Sequence, residues 1–271
     1  MDTKRSFFKR TYILLAVLTL TGCYKTTEFP DLVVPESPTL IPPQQQLAGM
    51  SVEGRPIMYS VLGQGSDVTF IIATIHGNEP AGTPLANYLL EYLNQHPELL
   101  LGRKVVVLPI ANPDGLANNT RLNANKVDLN RNFIADNRTN DEESGPSSIS
   151  EPEAHIIKEL ILQYNPERII SIHQVVDTGP QGLATLIPTG CIDYDGPGQM
   201  LANHIAQYCD LPVKKLGARP GSLGSYAGVE LGIPIITFEM QKNDSNLNTE
   251  MLWQKYGKAL LAAILYPNPI P

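Results

Sequence analysis

Four short apolar runs, rich in β-branched residues and separated by stretches with helical spacing, most restrict what this 271-residue chain can become. They are Val68 to Ile75, Lys104 to Ile110, Arg168 to Ile172 and Pro234 to Glu239. Continuous apolar runs of this length suit strands buried on both faces, which a parallel sheet covered by helices provides. Pro84 to Leu93, Ser150 to Tyr164, Gly198 to Tyr208 and Glu250 to Leu265 supply the helical spacing. The alternation predicts an α/β fold, a sandwich with a largely parallel central sheet. Ser150 and Glu153 match a capping box at the start of the second helix, with Pro152 acceptable in its first turn. No internal repeat is present.

The N-terminus follows a different logic. Lys4, Arg5, Lys9 and Arg10 precede an apolar stretch from Tyr12 to Leu20 that is short for a bilayer span and reads as a secretion signal. It ends in Leu20-Thr21-Gly22-Cys23, which resembles the lipobox of bacterial lipoproteins. That resemblance implies removal of residues 1–22, lipidation of Cys23 and membrane attachment through the lipid, with several acyl chains giving durable anchoring. Tyr24 lacks the aspartate associated with inner-membrane retention, so the expectation is a periplasm-facing protein in the envelope of a Gram-negative-type bacterium, at the outer membrane. Residues 23–49 carry Pro30, Pro35, Pro38, Pro42, Pro43 and Gln44-Gln45-Gln46 and read as a tether reaching roughly 80 Å when extended. Residues 50–271 form the expected folded domain.

The formal net charge is -7, and loss of the signal would remove four basic side chains but only one acidic one. An acidic surface repels phosphate backbones, so nucleic acid is excluded as an expected partner. Cys191 and Cys209 are permitted a disulfide in an oxidising compartment. Neither belongs to a CxxC pair, which excludes a zinc ribbon.

In open α/β sheets, reactive groups gather on loops after the carboxyl ends of strands. Four such places stand out. Ile75-His76-Gly77-Asn78-Glu79-Pro80 sets a histidine and a carboxylate three residues apart across a turn that Gly77 loosens. Ser171-Ile172-His173-Gln174 delivers a second histidine at a strand end. Two histidines and a carboxylate leave zinc an open position for chemistry, although singly each such histidine is more often a hydrogen-bonded structural group. Thr237-Phe238-Glu239-Met240 places a carboxylate in an apolar strand, where burial raises its pKa toward that of a general base unless an ordinary salt bridge holds it. Asn112-Pro113-Asp114-Gly115 reads as a turn, and the polar segment through Val127-Asp128-Leu129-Asn130-Arg131-Asn132-Phe133 contains Arg121 and Arg131. Guanidinium groups grip carboxylates and stabilise oxyanions, and equally occupy solvated surface loops. His96, His155 and His204 lie in a loop or inside helical segments and carry no assigned chemistry.

Together and in this order, HGNE, NPDG, VDLNRNF, SIHQ and TFEM resemble the motifs of the zinc carboxypeptidase family, over a span from about Ser51 to the C-terminus. The resemblance implies a three-layer α/β/α sandwich around a mixed, largely parallel eight-stranded sheet, and one zinc ion held by His76, Glu79 and His173. It implies Glu239 as base and then acid, Arg121 on the scissile carbonyl, and Asn130 and Arg131 on a terminal carboxylate. Tyr226 is the candidate for the family's mobile substrate-binding tyrosine. Two positions depart from the pattern: Lys126 stands where glycine is common, and no proline follows Phe133.

Within the family, RLNANKVDLNRNF, SEPE and the segments around Tyr194-Asp195-Gly196-Pro197 and PGSLGSY look most like murein peptide amidases, which cleave the γ-D-glutamyl–meso-diaminopimelate bond. The expected partner is thus a murein peptide with a free C-terminal carboxylate. A general carboxypeptidase on α-peptides would share the same catalytic residues. A deacylase of the aspartoacylase and succinylglutamate desuccinylase kind shares only the HxxE and DLNR elements, and a non-catalytic peptidoglycan-binding lipoprotein would not need them.

Overall fold

The computed structural model describes residues 44–176 and 189–270, so the signal segment, Cys23 and most of the expected tether lie outside the described residues. The apolar runs become strands of one eight-stranded mixed sheet. In chain order these are β1 (Gln44–Met50), β2 (Pro56–Leu62), β3 (Asp67–Ala73), β4 (Arg103–Leu108), β5 (Arg168–Gln174), β6 (Cys191–Asp195), β7 (Val213–Lys214) and β8 (Ile235–Met240). Their spatial order is β1-β2-β4-β3-β5-β8-β6-β7. β4, β3, β5 and β8 run parallel at the centre, while β1, β2 and β6 introduce the antiparallel pairings.

Alternation along the strands divides the core in two. Ile71, Ala73, Val105, Val107, Ile170 and Ile172 face a layer built from α1 (Gly82–Gln95) and two further helices, Gln199–Ile205 and Thr249–Leu265. Phe70, Ile72, Val106, Leu108 and Ile169 face the helix Pro152–Tyr164 and the segment around Tyr226. Following a short helix Pro113–Asn118, labelled α2, these helices are α3 (Pro152–Tyr164), α4 (Gln199–Ile205) and α5 (Thr249–Leu265). α1 buries Leu85, Ala86, Leu89, Leu90 and Leu93, a stripe at helical spacing, and stops before His96, whose position ahead of Pro97 disfavours helical backbone. Each fully buried leucine, isoleucine or phenylalanine contributes about 1.5–3 kcal/mol.

Two expectations change, and the state of the two cysteines, left open by the sequence, is given. The last residues of the expected tether, Gln44 to Gly49, belong to β1, an edge strand paired antiparallel with β2. An edge strand needs partners on one side only, so a polar glutamine run without apolar alternation can serve; Tyr59 Oη donates to Gln46 Oε1 at 2.7 Å. The capping box at Ser150 and Glu153 does not form, because Glu151 is the N-cap and Glu153 is drawn elsewhere. Its carboxylate accepts from the Val52 N–H and from Asn123 Nδ2. Cys191 and Cys209 are both free thiols, and burial pushes Cys191 up to about 12.

Candidate active site

The reactive side chains collect at the carboxyl ends of β3, β5 and β8. β3 hands the chain to Thr74, whose φ of 54° is rare for a β-branched residue and costs about 1–3 kcal/mol. Thr74 Oγ1 lies 2.7 Å from Thr83 Oγ1, and its carbonyl accepts from the Asn112 N–H at 3.0 Å. The bend carries His76 and Glu79 over the sheet. Gly77 is needed here for space and not for an unusual φ, since a Cβ would overlap the Gly115 backbone at α2.

His76, Glu79 and His173 offer ligand atoms that all lie within 4.8 Å of one another, and all three are buried. His76 Nδ1 is 2.8 Å from Glu79 Oε1 and His173 Nδ1 is 2.9 Å from Glu79 Oε2. The opposite ring nitrogens are also held: His76 Nε2 is 3.1 Å from Asp128 Oδ1, and His173 Nε2 is 3.1 Å from Ser171 Oγ. Asp128 is held ionised and only accepts, so His76 donates from Nε2 and turns the lone pair of Nδ1 inward. Two imidazole lone pairs and a carboxylate converging on one point are a donor set suited to zinc. His76, Glu79 and His173 form the zinc-binding triad.

The electrostatics follow from burial and pairing. Burial alone would raise Glu79, but His76 and His173 outweigh it and hold this carboxyl far below the ordinary range. Burial and Arg121 push His76 down, yet Glu79 and Asp128 leave it raised overall. Asp128 is likewise held well below the carboxylate range, against burial, by Arg121 and His76. Arg121 donates from Nε to Asp128 Oδ2 at 3.0 Å and from Nη1 to Glu79 Oε1 at 3.2 Å, which ties it to one ligand and to the carboxylate that holds another, His76.

Glu239 stands beside His173 in the parallel register of β5 and β8. Burial pushes its carboxyl up to about 7, with Glu79 and Asp193 adding to the rise and His173 and Arg121 opposing it. Such a group exchanges a proton near neutral pH, as a general base requires.

Of the positions anticipated in sequence, His76, Glu79, His173, Glu239, Arg121, Asn130 and Arg131 all line one cavity. Asn112-Pro113-Asp114-Gly115 is not a free turn but the start of α2, with Asn112 Oδ1 accepting from the Gly115 N–H at 2.8 Å. Asn130 Oδ1 accepts from the Leu223 N–H at 2.8 Å, fixing the far wall. Arg131 donates to the Asn130 carbonyl, and burial lowers its pKa. Lys126 keeps the left-handed turn that glycine would favour, at φ 64°.

Tyr226 is not brought to the cavity. It lies in the π-helical segment Gly224–Glu230, 5% exposed, with its ring stacked on Phe133 at 5.9 Å in the core under α3. Sequence reading missed Asp128 as the joint between His76 and Arg121, and missed Asp193 and Asp195, which line the cavity from β6. Their i, i+2 spacing in Cys191-Ile192-Asp193-Tyr194-Asp195 was the available signal, since it puts both carboxylates on one face of a strand.

Comparison with known proteins agrees with this geometry. The chain is 30% identical over 228 residues to murein peptide amidase A of Escherichia coli strain K12, covering 77% of this chain and 86% of that protein. The crystal structure of murein-tripeptide amidase from Escherichia coli O157 superposes with a TM-score of 0.63 at 25% identity, over 85% of this chain and 95% of that one. Carboxypeptidase A from Helicoverpa armigera shares the fold, with a TM-score of 0.66 at 19% identity, over 83% and 69%. Residues 38–177 match the family model described as zinc carboxypeptidase. With the metal triad assembled and the match extending across half the sequence, the chain belongs to the zinc carboxypeptidase family.

Proposed function

We propose that this chain is a murein peptide amidase, hydrolysing the amide between γ-D-glutamate and meso-diaminopimelate. The observation that carries the reading is one cavity holding the metal triad, a buried carboxyl raised to about 7 and the guanidinium groups of Arg121 and Arg131, in a chain alike over most of its length to murein peptide amidase A. Zinc, when bound, polarises the scissile carbonyl and acidifies water. Glu239 takes the proton from the attacking water and returns it to the departing amine. Arg121 donates to the oxygen on which negative charge develops. Arg131, with Asn130 fixing the adjacent wall, binds the free α-carboxylate of the departing residue and so orients the scissile bond.

The lipobox at Cys23 and the tether that follows support a lipid-anchored, periplasm-facing placement at the outer membrane, where murein peptides are found. The test is hydrolysis of L-Ala-γ-D-Glu-diaminopimelate beside α-linked C-terminal peptides and N-acyl amino acids, with zinc content measured on the same preparation. Preferred release of diaminopimelate is the expected result. Glu239→Gln is expected to retain zinc and lose turnover by about 100-fold or more. Cleavage of α-peptides alone would refute the murein reading, and normal turnover by zinc-loaded Glu239→Gln would refute the role of the base.

A further inference from the structure

Gln174 ends β5 directly after His173. Alternation turns His173 to the cavity and Gln174 to the opposite face, which it shares with Ile170 and Ile172 in the layer under α1. An apolar side chain is the ordinary choice at such a position, because a buried amide is costly unless its polar atoms find partners. Gln174 is 2% exposed.

Its partners are main-chain groups of the segments that carry the reactive side chains. Oε1 accepts from the Ala81 N–H at 3.4 Å, just beyond Glu79 and at the start of α1, which has no side-chain cap. Nε2 donates to the Lys242 carbonyl at 2.9 Å and to the Gln241 carbonyl at 3.4 Å, both just past Glu239. The Gln174 N–H donates to Glu79 Oε2 at 3.1 Å, the oxygen that lies 2.9 Å from His173 Nδ1. His173 and Glu239 are set against each other by strand pairing, and the Val175 N–H on the Met240 carbonyl extends that pairing at 3.0 Å. Glu79 has no such reference, since the ladder between β3 and β5 ends at Ala73. The start of α1 also has little slack, because a Cβ on Gly82 would press on Ile172 and Ala73.

We propose that Gln174 is a positioning residue that registers the Glu79 segment to the paired strand ends carrying His173 and Glu239. Its side chain holds the start of α1 and the exit of β8 together, and its N–H fixes the carboxylate oxygen. Loss of the amide then shifts one metal ligand against the other reactive groups while the sheet stays paired.

Two substitutions test this. Gln174→Met keeps the volume and loses the side-chain hydrogen bonds; Gln174→Glu keeps the acceptor for Ala81 but sets an oxygen against two carbonyls. Either variant decides the matter if the other does not fold. Leu89→Ala, in the buried stripe of α1 and outside the cavity lining, is the destabilised control. Zinc affinity is read by chelator competition, the ligand set by the visible spectrum of the cobalt-loaded protein, and kcat and KM at saturating zinc on L-Ala-γ-D-Glu-diaminopimelate. The Gln174 variants are expected to weaken zinc by about 10- to 100-fold and to shift the cobalt bands. Their kcat should fall by about tenfold or more with KM within about threefold. Leu89→Ala should lower the thermal midpoint and leave zinc affinity, spectrum and kcat as in wild type. The kcat comparison rests on the murein reading and on Glu239 as the base; zinc affinity and the cobalt spectrum need no substrate, so they decide this proposal even if that reading fails. Wild-type zinc affinity and spectrum in the Gln174 variants, or changes equalled by Leu89→Ala, overturn it.

Discussion

Asp195→Asn is expected to make the protein more stable at neutral pH, although the residue lines the cavity of the metal triad. Burial raises the folded-state pKa of Asp195 from the ordinary 3.8 to about 6. A carboxyl raised in this way contributes stability that is fully present below about pH 4 and is lost as the pH rises through about 6. The gap corresponds to about 3 kcal/mol when the group is ionised in both states. At pH 4 roughly 0.5 kcal/mol of that penalty is already present, so the stability of Asp195→Asn relative to wild type should climb by about 2 kcal/mol between pH 4 and pH 7. A constant offset from the new amide shifts the whole difference curve and leaves its slope. Urea unfolding of both proteins by circular dichroism, at fixed ionic strength and at four or five pH values, measures this difference directly. A flat difference curve, or one that falls with pH, would refute the claim that Asp195 is held uncompensated in the folded state.

Asp128→Asn should weaken zinc by about 10- to 100-fold in chelator competition, because His76 loses the carboxylate that fixes its tautomer and ring orientation. Lys126→Gly removes a side chain from left-handed backbone and should raise unfolding stability by about 0.5–1 kcal/mol, read from the denaturation midpoint. Tyr226→Phe should leave kcat/KM per folded molecule within about twofold, whereas Tyr226→Ala should lower stability by about 3–5 kcal/mol through the cavity left beside Phe133. For wild type, kcat/KM should rise with pH through about 7 as Glu239 ionises; a profile flat from pH 5 to 8 would contradict that role.

The central strands were legible because β3, β4, β5 and β8 are buried on both faces and their residues are continuously apolar. The edges were not. β1 carries glutamines because one side of it faces solvent, and β7 is only two residues long. β6 hid for another reason: its two aspartates face the cavity and break the apolar run that marks a buried strand. The metal ligands and Glu239 were legible through the order in which HGNE, the arginine loop, SIHQ and TFEM follow one another, although singly each residue is more often structural. The placement of Tyr226 outside the cavity lining was not legible, because π-helical packing, which turns its ring onto Phe133, leaves no simple sequence period. Gly77 was assigned to the right turn for the wrong reason, since spacing along the chain says nothing of the close approach of α2.

Asp128 receives His76 on one oxygen and Arg121 on the other, so one carboxylate belongs to two pieces of machinery. The consequence is reciprocity. Any change in metal content that shifts His76 alters the position of the guanidinium, and occupancy of that guanidinium by an anion alters the affinity for metal by the same factor. Metal loading and anion binding at this site are therefore linked, and the factor by which metal changes the affinity for an anion must equal the factor by which the anion changes the affinity for metal.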